Sequence, residues 1–173
     1  MARFPISASG PRPSDPEHEA RCRRCGISCH LALPVGGQMV EIPGLHCKFL
    51  RPGTDRKWRC DVYEHRFELA PWCHHANEAV PLGFLARDCP YLLDGGGGPG
   101  KIRLREPLLS RYWPTLLAAV VREGVPDYVD TEAFLAEVNR REQVPHRLIA
   151  NTGPGHKWLL VEEGDRQEAN EHA

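Results

Sequence analysis

The chain has 173 residues, a length that suits one domain with an appendage, and 41% of them are hydrophobic, slightly under an ordinary globular share. With 16 Pro and 16 Gly it reads as loop-rich with a modest core, a kind of fold that a metal or covalent staple supports. A formal net charge of −1 gives no overall pull toward a polyanion, and no run approaches the ~20 apolar residues of a membrane span.

In chain order, residues 1–20 carry four prolines, scattered charge and little apolar content, which predicts a flexible N-terminal arm. That arm lacks the apolar core of a secretory signal. All seven cysteines, Cys22, Cys25, Cys29, Cys47, Cys60, Cys73 and Cys89, then fall within residues 21–93. An odd count opened by a Cys-x-x-Cys argues against a disulfide framework and for a reducing, cytoplasmic setting. The expectation is a Cys-rich metal-binding domain over residues 21–93, built as an irregular knuckle of short helices and loops.

The turn from Cys22 to Cys25 lets two sulfurs converge on one ion, and Gly26 supplies the positive φ such a knuckle often needs. Cys29 adds a third thiol. Twelve residues separate Cys47 from Cys60, and twelve again separate Cys60 from Cys73. All seven are candidate metal ligands. Histidines 30, 46, 74 and 75 lie beside cysteines, and His46 and His74 are the preferred substitutes for a missing sulfur. Seven thiols suffice for a four-Cys zinc site plus a three-Cys, one-His site, and four of them equally suit an iron–sulfur cluster. The spacing matches neither the compact ferredoxin run nor a CxxxCxxC triad. The metal stays open between zinc and iron–sulfur, with the spare thiol and nearby histidines favouring zinc.

The segment Cys22-Arg23-Arg24-Cys25-Gly26-Ile27-Ser28-Cys29 is followed by Cys47, by Cys60-Asp61-Val62-Tyr63-Glu64-His65-Arg66, by Cys73 and by Asp88-Cys89-Pro90-Tyr91. In that order the motifs resemble the bacterial cysteine-cluster family of zinc- or iron-chelating domain proteins, over about residues 20–93. Members look like CxxCxxCC, then a Cys, then a C-x-I-Y-E-x-R-P-x-x-C block, then a late C-P. The resemblance implies a metal held by these thiols, and older descriptions of such families as iron–sulfur oxidoreductases extend it to redox work. Two departures stand out: Ser28-Cys29 replaces a cysteine pair, and Arg66-Phe67 and Cys73-His74 replace Arg-Pro and Cys-Arg, with Cys73 displaced downstream.

Residues 94–101 read as a Gly-rich linker. Their G-x-x-x-x-G-K pattern lacks the Ser or Thr of a phosphate-binding loop, since Ile102 stands there, so no nucleotide is expected. Residues 102–163 form an α+β region resembling no named family, and 164–173 a flexible tail. Within that region Pro114 to Glu123 predicts a helix with Pro114 at its first position and Gly124 past its end. Asp130 caps a second helix over Thr131 to Glu142 with Phe134, Leu135 and Val138 inward. His146 to Ala150 and Lys157 to Glu162 predict a hairpin. The fold class expected is therefore a small metal-stapled α+β chain, its knuckle followed by two helices and a β-hairpin.

Trp58, Tyr63, Trp72, Phe84 and Tyr91 are expected to pack around the metal, with Glu64 and Asp88 as outer hydrogen-bonding partners. The cations Arg21, Arg23, Arg24, Arg51, Arg56, Lys57 and Arg59 are read as offsetting thiolate charge rather than gripping nucleic acid. No catalytic motif is present. Three functions follow: a metal-stapled interaction module with a protein partner and neither membrane nor nucleic acid, an iron–sulfur electron carrier or redox sensor, or a zinc- or thiol-dependent enzyme.

Overall fold

The structure is a computed structural model, and it describes residues 20–55, 57–94, 99–151 and 157–164. Strands β1 (His30–Val35) and β2 (Gln38–His46) form an antiparallel hairpin with a register shift between His30 and Ala32. The short pair β3 (Leu50–Pro52) and β4 (Trp58–Cys60) follows, also antiparallel. Three brief helices come next, α1 (Arg66–Leu69), α2 (Ala76–Ala79) and α3 (Pro90–Asp94). Strand β5 (Lys101–Ile102) then returns to lie parallel to β2, giving the order β1-β2-β5.

The remainder is α4 (Leu108–Glu123), β6 (Val125–Pro126), α5 (Thr131–Glu142), β7 (His146–Ala150) and β8 (Lys157–Glu162), with a second sheet ordered β6-β8-β7. The small α+β class, the two helices and the hairpin thus stand. The Cys-rich part departs from the expected helices and loops, because four strands run through it. Val40 and Ile42 of β2 are almost wholly buried, and a strand that buries alternate apolar residues is held in a sheet despite Pro43 and Gly44.

Helix α4 begins six residues before Pro114, which sits inside it. Leu109, Trp113, Leu116 and Val120 make one buried stripe at helical spacing across the proline, so burial outweighs the hydrogen bond that Pro114 cannot donate. Asp130 caps α5 as expected, its carboxylate accepting from the Ala133 N–H at 3.0 Å. Phe134 and Val138 are fully buried.

Both halves contribute to a common core. Val40, Ile42 and Leu45 of β2 pack with Leu109, Trp113, Leu116, Val120, Phe134 and Val138. The segment before α5 is also tied to the end of β2: Asp130 N–H donates to the His46 carbonyl at 2.8 Å, and Lys48 N–H donates to that of Tyr128 at 2.9 Å. Among the described residues no helix is long and apolar enough to cross a membrane. Residues 1–19, 56, 95–98, 152–156 and 165–173 lie outside the description, and with them most of the expected arm, linker and tail. Lys101, read as the last linker residue, is a strand residue.

Candidate metal centre

All seven cysteines are free thiols. Cys22 and Cys25 precede a 3-10 turn, Ile27–Cys29, whose last residue is the third cysteine. Gly26, at φ 76°, admits the chain to that turn, and a Cβ there would stand 2.6 Å from ring atoms of Trp58. Cys47 directly follows β2, Cys60 ends β4, Cys73 lies in the turn after α1, and Cys89 immediately precedes α3.

Backbone pairing draws the distant members together. Cys47 N–H donates to the Cys29 carbonyl at 2.9 Å, and Leu50 N–H donates to the Cys47 carbonyl at 2.9 Å. Leu50 in turn is the register partner of Cys60. Trp72, beside Cys73, stacks on Phe49 and Tyr128 with centroids at 6.2 and 5.1 Å. The result is two neighbourhoods. Cys29 lies in the electrostatic field of Cys47, Cys60 and Cys73, while Cys89 lies in that of Cys25 and Cys22.

Four of the sulfurs accept backbone N–H bonds: Cys22 from Arg24 at 3.4 Å, Cys60 from Val62, Cys73 from His74, and Cys89 from Tyr91 and Leu92. Such bonds favour thiolate over thiol and orient a sulfur. Burial acts the other way. It pushes the Cys29 thiol up to about 12, chiefly by desolvation, and raises those of Cys60, Cys73 and Cys89. As the side chains stand, no group of three or more His, Cys, Asp or Glu among the described residues is arranged to hold a metal ion. What the residues offer a metal is donor chemistry: soft thiols in two electrostatically linked sets, several engaged by N–H groups.

The histidines beside the cysteines have contacts of their own. His46 is buried, with its Nδ1 3.1 Å from the Cys47 carbonyl, and it packs on His30 and Trp58. These three residues line a cleft of about 280 Å³ that also takes in Glu41 and Arg103. Burial pulls His30 down to about 4, leaving a neutral imidazole. His74 tilts against Phe84 and stands 3.9 Å from Glu78. His75 stacks on Phe67, and Trp72 Nε1 is buried with no hydrogen-bond partner among the described residues.

Of the five aromatics read as a metal-shielding layer, Trp58 and Trp72 are packed inward, whereas Tyr63 and Phe84 are substantially exposed. Tyr91 carries Arg21 over its ring at 5.4 Å. The cations are largely matched by aspartates: Arg23 with Asp88, Arg24 with Asp55, Arg51 with Asp61 and Asp130, and Arg59 with Asp61. Asp88 is held below the usual carboxylate range mainly by its bond from Arg23. What the sequence did not single out is the pairing of buried Glu41 with the exposed Arg103, or the burial of Lys101 nearby, because each charged residue there is isolated in its own stretch. Set against protein-family models, curated proteins and solved structures, the chain matches none.

Proposed function

We propose that the protein is a metal-stapled module that holds zinc through Cys29, Cys47, Cys60 and Cys73, with Cys22, Cys25 and Cys89 as a second, smaller set. The observation that carries this reading is the grouping of Cys29, Cys47 and Cys60 by backbone pairing from positions far apart in the chain, with Cys73 in the electrostatic field of the same set. Thiols scattered for packing alone have no reason to gather at the meeting point of two hairpins. The cysteine-cluster resemblance supports the same reading. Bound zinc would supply a cross-link and no reaction, since four thiolates leave no open position. The chain's own residues supply orientation: backbone N–H groups on the sulfurs, and Trp58 and Trp72 as packing beside them. The function is then presentation of a folded surface to a protein partner in a reducing compartment.

The test is zinc titration of the metal-free chain, in wild type and in Cys47→Ser. Wild type should take up stoichiometric zinc with a gain in ordered structure. The variant should lose that uptake. Unchanged uptake in Cys47→Ser would remove Cys47 from the ligand set. Iron with matching sulfide in the purified protein would move the reading to an iron–sulfur carrier held by the same thiols.

A further inference from the structure

Lys101 differs from the other cations near the cysteines. Arg23, Arg24, Arg51 and Arg59 each meet an aspartate, at 3.0, 2.6, 3.1 and 3.7 Å, and all four are substantially solvent-exposed. Lys101 is only 6% exposed and, among the described residues, has no carboxylate within ion-pair distance. Glu41 contributes to its field from farther off, but both oxygens of that carboxylate are taken by the Arg103 guanidinium at 2.9 to 3.1 Å.

The Lys101 ammonium donates instead to three carbonyls of one short segment: His30 at 2.6 Å, Ser28 at 3.0 Å and Ile27 at 3.5 Å. Those residues flank Cys29 on both sides. The Phe84 ring lies 5.4 Å from Nζ on another side. A buried ammonium bonded only to neutral carbonyls is costly, and burial accordingly pulls Lys101 down to about 8. The cost disappears if an anion is supplied next to it. Four thiolates on one divalent ion carry two net negative charges, and Cys29 is the thiol whose charge Lys101 feels most.

We propose that Lys101 is the positioning and counter-charge residue of the metal-loaded four-thiol set, pinning the turn that carries Cys29 and offsetting the net negative charge of the bound site. This inference rests on the metal-binding reading. It explains why a lysine is buried here with three carbonyls and no acid, while its exposed neighbours are paired.

The experiment compares zinc affinity of the full chain in wild type, Lys101→Arg and Lys101→Gln, each refolded with zinc and read by competition with a chelator. Gln keeps amide donors for the carbonyls and loses only the charge, while Arg keeps both. Lys101→Arg should bind close to wild type, and Lys101→Gln about tenfold to a hundredfold more weakly, the range seen when an outer partner of a metal site is lost. Equal affinity in Lys101→Gln and wild type would overturn the counter-charge role while leaving the metal reading intact. Equal loss in both variants, or failure of both to refold with zinc, would overturn it in favour of a tether of fixed length. A wild-type chain that takes up no metal would overturn both proposals.

Discussion

Gly44 is the point at which the core and the cysteine region can be separated by a single methyl group. It lies in β2 at φ 77°, and a Cβ there would stand 2.9 Å from the Ala133 carbonyl oxygen, 2.9 Å from Glu137 Cβ and 3.2 Å from Phe134 Cα. All three atoms belong to α5, so Gly44→Ala pushes the helix off the strand. Left-handed backbone costs an L-residue about 1–2 kcal/mol, and forcing a methyl group into a packed contact adds about 1–3 kcal/mol. The expected loss is about 2–5 kcal/mol, a large part of the stability of a domain this size. Gly36 provides the internal control: its φ is 56°, and nothing lies within 4 Å of its Cβ position. Gly36→Ala should therefore show the backbone cost alone. Urea unfolding followed by tryptophan fluorescence, at matched metal content, measures both. A Gly44→Ala loss no larger than that of Gly36→Ala would refute the close β2–α5 contact.

Three further outcomes are expected. Arg103→Met leaves the buried Glu41 carboxylate without its guanidinium and should cost about 2 kcal/mol near neutral pH. Burial already raises Glu41, and a carboxyl raised on folding destabilises the fold where it is ionised, so this loss should shrink as pH falls through the raised value; a loss independent of pH in urea unfolding would contradict it. Asp130→Ala removes the cap of α5 and the 3.1 Å contact with Arg51, and should cost about 1 kcal/mol by the same assay, with no change expected only if α5 is capped otherwise. Zinc affinity should rise from about pH 6 to about pH 8, because thiols raised by burial must each release a proton to become ligands. Calorimetry in buffers of different ionisation enthalpy reads those protons, and a pH-independent affinity would speak against thiolate ligation.

The elements written in local pattern were legible. Asp130 followed by an apolar stripe gave α5, and two β-rich runs gave the hairpin β7–β8, each with the bounds the structure has. Strand β2 was not, because Pro43 and Gly44 are residues that ordinarily break a strand, and only burial against α5 keeps them in one. The two residues of β5 carry no local signal at all; their place is decided by a parallel partner more than sixty positions away. Helix α4 shows the same balance, with a proline that reads as a start lying inside a stripe that begins at Leu109.

At the candidate site, the sequence pointed to all seven cysteines and offered no way to sort them. Sorting requires knowing that the end of β2 returns to the turn at Cys29, and that Leu50 faces Cys60. The sequence equally could not show what His46 and His74 touch: one lines the cleft with His30 and Trp58, the other tilts against Phe84. Lys101 reads as the end of a glycine run, and its three carbonyl partners exist only once β5 is docked on β2.

The most direct test of the metal-stapled account is the metal content of the full chain, by mass spectrometry with a visible spectrum, after purification without oxygen. The account expects stoichiometric zinc, no visible colour, and loss of ordered structure when the zinc is chelated. A metal-free chain with seven reactive thiols and an intact fold would contradict it.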